Sequence, residues 1–197
     1  MLLQDRLKDY RLILASGSPR RQNFFKAMGF EFELDVRPVN EVYSSDLKRE
    51  QITNYLAKLK ADAFTDLQDK EIVMTSDTIV WFNDKPMEKA ADRDEAIAML
   101  QALSGNYHEV FTSVCFTTKE RQIIDHDRVK VWFNELSTEE IEHYVDHYKP
   151  FDKAGSYGIQ DWLGYIGVPK IEGSFFTVMG LPTHLVYKAL NELTLKG

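Results

Sequence analysis

The sequence is poor in the features that mark membrane, secreted or nucleic-acid-binding proteins. It has one cysteine, Cys115, so no disulfide can form within the chain. The flanks, Val114 and Phe116, predict a buried strand thiol with no chemistry of its own. A lone thiol also fits a reducing, cytoplasmic setting. No apolar run approaches the roughly 20 residues that a membrane helix needs. Met1-Leu2-Leu3 gives way at once to Gln4, Asp5 and Arg6, which leaves no signal-peptide core. Basic residues number 24 against 31 acidic ones, a net charge of -7. Such a chain lacks the basic face that polynucleotides require, so nucleic acid is not expected as a partner. Any anionic ligand must be held by a local cluster of cations.

Repeats, low-complexity tracts and long Pro/Gly/Ser linkers are also missing. The 197 residues therefore read as one domain, with residues 1–10 as a short polar extension. Leu12 to Ala15 reads as a buried strand. Ser18-Pro19 predicts a helix start, and Gly29 its stop, with Phe24, Phe25 and Met28 facing the core. Phe32 to Arg37 alternates and predicts a strand. Ile52, Leu56, Leu59, Ala63 and Leu67 give helical spacing over 47–67. Two strand stretches, 72–75 and 79–82, flank the polar Ser76-Asp77-Thr78, and Asn83-Asp84 predicts a turn.

A helix over 92–103, a hairpin from 110–117 and 123–133, and a capped helix opening at Ser137-x-x-Glu140 follow. The stretch 153–180 is rich in glycine and aromatics, and a last helix follows Leu181-Pro182-Thr183. Strands and helices mixed with an antiparallel hairpin predict an α/β fold, a mixed sheet with flanking helices.

Several residues are placed for chemistry. Ser16-Gly17-Ser18-Pro19-Arg20-Arg21 joins a strand to a helix N-terminus that carries two arginines. Unpaired N–H groups, the helix dipole and two guanidinium forks suit an anion. A capped helix with solvated arginines is the plain alternative. The spacing is not that of a P-loop. Asp77, between apolar strand stretches, is a general base, a ligand for a hard divalent cation, or a turn cap. Lys60, Lys89 and Glu41 are ambiguous alone. The amide of Gln160 offers the donor and acceptor pair that can read a nucleobase edge, or it satisfies a buried loop. His143 and His147 are spaced i, i+4, but no third zinc ligand is suggested nearby. No G-x-S-x-G elbow occurs, and Cys115 has no obvious base, so covalent catalysis is unsupported.

In order along the chain come Leu14-Ala15-Ser16-Gly17-Ser18-Pro19-Arg20-Arg21, Leu56-Ala57-Lys58-Leu59-Lys60-Ala61 and Ser76-Asp77-Thr78-Ile79-Val80. Glu88-Lys89, Leu103 to Val110, Asp152 to Gln160, Ile171 to Ser174 and Gly180-Leu181-Pro182 follow. Together they resemble the Maf family of nucleoside triphosphate pyrophosphatases, over Leu12 to Leu193. The resemblance implies an elongated two-lobed, ITPase-like α/β fold with a central cleft, and a homodimer. It implies cleavage of a nucleoside triphosphate between the α- and β-phosphates, giving monophosphate and pyrophosphate, with a divalent cation (Mg²⁺ or Mn²⁺).

By the same resemblance Asp77 is the proton acceptor, and Glu41 and Asp77 face the metal. Ser16, Ser18, Arg20, Arg21, Lys60 and Lys89 take the phosphates. Arg20, Thr78 and Gln160 govern base choice. Tyr157-Gly158-Ile159-Gln160 resembles the branch acting on dTTP and UTP. The other readings are the sister branch acting on 7-methyl-GTP and a nucleotide-binding regulator of cell division with little catalysis. Ser76, Ala90, Asp161 and Thr177 depart from the family's usual residues, and Asp161 stands nearest the proposed base pocket.

Overall fold

The structure is a computed structural model and describes residues 1–195. Its first elements are α1 (Leu3–Leu7), β1 (Arg11–Leu14), α2 (Pro19–Ala27), β2 (Glu33–Leu34), α3 (Glu50–Ala61), β3 (Glu71–Phe82) and β4 (Lys85–Met87). Then come α4 (Arg93–Leu103), β5 (Tyr107–Thr117), β6 (Gln122–Trp132) and α5 (Thr138–Tyr148). The last are α6 (Trp162–Gly167), β7 (Lys170–Glu172), α7 (Phe175–Val178) and α8 (Thr183–Thr194). The seven strands form one mixed sheet in the order β2-β1-β3-β5-β6-β7, with β4 on β3. β1 runs parallel to β2 and β3, whereas β4 and β7 pair antiparallel. The mixed α/β class with flanking helices is thus the observed one.

The chain forms two compact units. The first comprises Met1–Asp77, Thr112–Asp127 and the chain from Gly180 on. Successive side chains of a strand point to opposite faces, so strands covered on both faces are apolar at every position. Leu12, Leu14, Ile72 and Met74 meet Phe25, Val186 and Leu190 on one side. Ile13, Ala15 and Val73 meet Phe64 on the other. Cys115 is buried against Ala57 and Ala61 of α3, and burial pushes its thiol up to about 11.

The second unit comprises Thr78–Phe111 and Arg128–Met179. Leu100 and Leu103 of α4 and Ile141, Tyr144 and Val145 of α5 pack with Val129, Val131 and Tyr157. The capping box at Ser137 opens α5, and Lys149, in the left-handed region, closes it. Asn83 and Asp84 both take positive φ in the β3–β4 turn, as a tight hairpin requires.

Several expectations need correction. Residues 1–10 are no extension: Leu3 and Leu7 are buried, and Arg6 of α1 bonds Thr194 and Asn191 of α8. The strand expected over 32–37 shrinks to Glu33–Leu34, both exposed, because alternation without a covering layer supports little pairing. The helix expected over 47–67 spans only Glu50–Ala61, since Phe64 turns back onto the sheet. Ser76-Asp77-Thr78 does not interrupt a strand, because β3 runs unbroken through it. The stretch 153–180 holds α6, β7 and α7, elements too short to show periodicity.

His108 is buried in the second unit, edge-on to Phe133 and Tyr157, with Nε2 2.7 Å from the Tyr157 hydroxyl. Burial alone pushes its pKa down to about 3 from an ordinary 6.5. The unfolded chain then binds a proton that the folded one refuses, so stability is full above pH 6.5 and is lost as pH falls toward 3. The expected loss is about 1.4 kcal/mol per pH unit, or about 2 kcal/mol at pH 5. Urea denaturation across that range should show a slope in the wild type that His108→Gln reduces.

Candidate active site

α3 faces the sheet with Thr53, Ala57 and Lys60, spaced i, i+4 and i+7, one stripe of a helix. Each meets a polar partner. The Thr53 and Ser113 hydroxyls lie 2.6 Å apart, and Thr75 Oγ1 donates to the Ala57 carbonyl at 2.7 Å. Lys60 Nζ donates to Asp77 Oδ1 at 2.7 Å. Thr75 and Asp77 are two apart on β3 and share this face. Lys60 Nζ also lies 2.8 Å from Glu41 Oε2, in the loop before α3. One ammonium thus gathers a buried and an exposed carboxylate. Burial raises the Asp77 carboxyl above its ordinary range, and Lys60 and then Arg21 oppose that rise.

The β1–α2 turn supplies the other charges. Gly17 has no protein atom where a Cβ would stand. Ser18 sits at the N-cap of α2 but makes no side-chain cap, and Pro19 takes the first turn. Arg21 reaches inward. Its Nε donates to the Gly180 carbonyl at 2.8 Å, and Nη1 donates to the Ser76 carbonyl at 3.0 Å and to Ser16 Oγ at 3.2 Å. Ser16 Oγ also accepts the Ser18 N–H at 3.3 Å. Arg21 therefore ties the turn to β3 and to the segment before α8. Burial lowers its pKa to about 10, with Asp77 acting in the opposite sense, so it stays charged near neutrality. Arg20 and Arg21 are both partly buried.

The first unit thus brings together Ser16, Ser18, Arg20, Arg21, Glu41, Lys60 and Asp77. Thr78, Lys89 and Gln160 belong to the second unit, and Thr78 follows Asp77 directly in β3. Lys89 is exposed, and its backbone forms an antiparallel bridge to Ala154. The Gly155 N–H donates to the Glu88 carbonyl at 3.1 Å. Gly155 has a φ of 67°, and a Cβ there would stand 3.0 Å from Val80. This ties the Lys89 segment to the loop that carries Gln160, which is partly buried.

Asp161, the departure flagged in sequence, accepts a hydrogen bond from the buried Tyr144 hydroxyl at 2.9 Å. Tyr144 gave no functional signal in sequence, since at its helical spacing it reads as core.

Among the described residues no group of three or more His, Cys, Asp or Glu is placed to hold a metal ion. Glu41 and Asp77 nevertheless converge on one cation, the Lys60 ammonium, and their hard oxygens are the donor type that Mg²⁺ takes. Mg²⁺ commonly uses one or two carboxylates, with substrate phosphates and water completing its shell. The pair fits such a site.

A protein-family model described as "Maf-like protein" matches residues 11–193. A dTTP/UTP pyrophosphatase of Christiangramia forsetii is 53% identical over 193 residues, covering 98% of each chain. One from Flavobacterium johnsoniae is 50% identical, covering 98% of this chain and all of the other (100%). Among solved structures, the Ham1 protein of Staphylococcus aureus aligns with a TM-score of 0.53 at 14% identity, over 92% of this chain and 98% of the other. At that identity the likeness concerns the fold. Among the described residues no helix is long and apolar enough to cross a membrane.

Removing the Arg21 fork strands two buried carbonyls and the Ser16 hydroxyl. Arg21→Ala should destabilise the protein by about 3 kcal/mol, the scale of charge-assisted hydrogen bonds lost at a buried site. Arg21→Lys should recover part of that, measured by urea denaturation.

Proposed function

Because the chain belongs to the Maf-like protein family, we propose that it hydrolyses dTTP and UTP to the monophosphate and pyrophosphate. The observation that carries this is the buried Asp77 carboxylate, bonded to Lys60 beside an arginine-bearing helix N-terminus. The names of its relatives supply the substrate class.

The roles follow from the geometry. A triphosphate brings about four negative charges near neutral pH; Arg20, Arg21, Lys60 and Lys89 are four cations, of which Lys60 is already paired with Glu41 and Asp77. Arg20 and the open N-terminus of α2 receive phosphate oxygens. Arg21 holds the turn that presents them. Asp77, lifted toward neutrality by burial, accepts the proton of the attacking water, and Lys60 keeps the carboxylate aimed. Positioning and charge thus carry most of a phosphoryl reaction, with pyrophosphate as the leaving group.

Glu41 and Asp77 would hold a divalent cation, Mg²⁺ or Mn²⁺, which would neutralise phosphate charge and lower the pKa of a bound water. Arg20, Thr78 and Gln160 govern base choice, with the Gln160 amide reading the pyrimidine edge. The reading carries with it a homodimer and a cytoplasmic location, where nucleoside triphosphates are made and used.

A nucleotide panel with Mg²⁺ or Mn²⁺, scored for monophosphate and pyrophosphate, tests the activity. dTTP and UTP should lead. Product from 7-methyl-GTP alone, or binding without product, overturns the assignment. Asp77→Asn should lose at least about 100-fold in turnover while still folding. Gln160→Ala should shrink the preference for dTTP and UTP over purine nucleotides by about tenfold, the scale of a lost hydrogen-bond pair.

A further inference from the structure

The loop that carries Gln160 is held by one side chain of α5. The Tyr144 hydroxyl accepts the Gly158 N–H at 2.9 Å and donates to Asp161 Oδ2 at 2.9 Å. The relay therefore clasps Gln160 from both sides in sequence. Backbone bonds tighten it: the Asp161 N–H donates to the Gly158 carbonyl at 3.0 Å, and the Gly164 N–H donates to the Asp161 carbonyl at 2.9 Å.

Glycines make the clasp possible. A Cβ on Gly158 would stand 2.4 Å from Asp161 Oδ2 and 3.1 Å from Gln160 Nε2. A Cβ on Gly164 would stand 1.8 Å from the Ile159 carbonyl oxygen. The carboxylate and the amide thus fill the space that a side chain at 158 would take. Lys153 Nζ lies 2.7 Å from Asp152 Oδ1 and 3.8 Å from Asp161 Oδ2.

We infer that Tyr144 and Asp161 are positioning residues that fix the Gln160 amide for reading the base. This rests on the proposed base-reading role of Gln160 and adds what sets its aim. Burial pushes the Tyr144 hydroxyl well above its ordinary range, so it remains a donor throughout the working pH range. Asp161, a negative charge beside a base pocket, is thereby an acceptor already engaged within the protein. The site needs its geometry more than its charge. A carbonyl oxygen at the same place serves nearly as well.

The test compares Tyr144→Phe, Asp161→Ala, Asp161→Asn and Gln160→Ala, with kcat and KM for dTTP, UTP and dGTP, and circular dichroism as a check on folding. Tyr144→Phe and Asp161→Ala should each raise KM for dTTP and UTP by about tenfold, with kcat moving less than about threefold. Both should shrink the pyrimidine preference as Gln160→Ala does. Asp161→Asn, whose amide oxygen still accepts the phenol proton, should recover most of the KM lost in Asp161→Ala. The double variant Tyr144→Phe/Asp161→Ala should be no worse than the worse single one, because both break the same relay.

If Gln160→Ala erodes the preference and Tyr144→Phe leaves it intact, the positioning role is overturned and base reading by Gln160 stands. If Gln160→Ala itself leaves the preference unchanged, base reading fails, and this inference fails with it. If kcat and KM fall or rise together and Asp161→Asn recovers nothing, the relay is only structural.

Discussion

Asp77 ends a run of six buried residues in β3. A lone carboxylate there would cost several kcal/mol, so something must answer its charge. Lys60 does so, and much of the first unit follows from that need. α3 must lie with its Thr53, Ala57 and Lys60 stripe on the sheet, because sliding by one turn would separate Lys60 from Asp77. β3 must stay unbroken through three polar residues. Arg21 adds a second positive charge and is itself held by carbonyls of β3 and of Gly180. Such a pair is a poor source of stability, since desolvation offsets the attraction. It sets a geometry and a proton affinity instead, both of which the proposed role of Asp77 as a base requires.

The two units use different means. In the first, charges hold one another: Lys60 against two carboxylates, and Arg21 against carbonyl oxygens. In the second, the Gln160 loop is shaped by glycines that admit neighbouring atoms and by tyrosine hydroxyls. Tyr144 engages Gly158 and Asp161, and Tyr157 engages His108. Burial keeps these phenols protonated and the imidazole neutral.

Much of this was legible in the sequence. The β1–α2 turn, the capping box at Ser137, the β5–β6 hairpin and the buried Cys115 follow local rules that tertiary context did not overturn. Asp77 stood out because a charge between apolar stretches needs a partner. The identity of the partner was hidden: Lys60 read as a phosphate ligand, and only the depth of Thr53 and Ala57 shows that its face of α3 is turned inward. Polarity at Ser76-Asp77-Thr78 looked like a break because strand signals count apolar residues, whereas here the covering helix is polar at the matching points. Leu3 and Leu7 are i, i+4, a signal two residues long. Tyr144 was indistinguishable from any core aromatic, because its hydroxyl partners lie 14 and 17 residues away.

Arg21 is made early in synthesis and its acceptor Gly180 late. Leu181, Val186, Ala189 and Leu190 of the same late segment complete the core against β1 and α2. The growing chain therefore lacks the Gly180 acceptor of Arg21, and that part of the core, until late in synthesis. A fragment that stops short of Gly180 keeps the Ser76 carbonyl for Arg21 but loses the other carbonyl that holds it, a contact reaching across 159 residues.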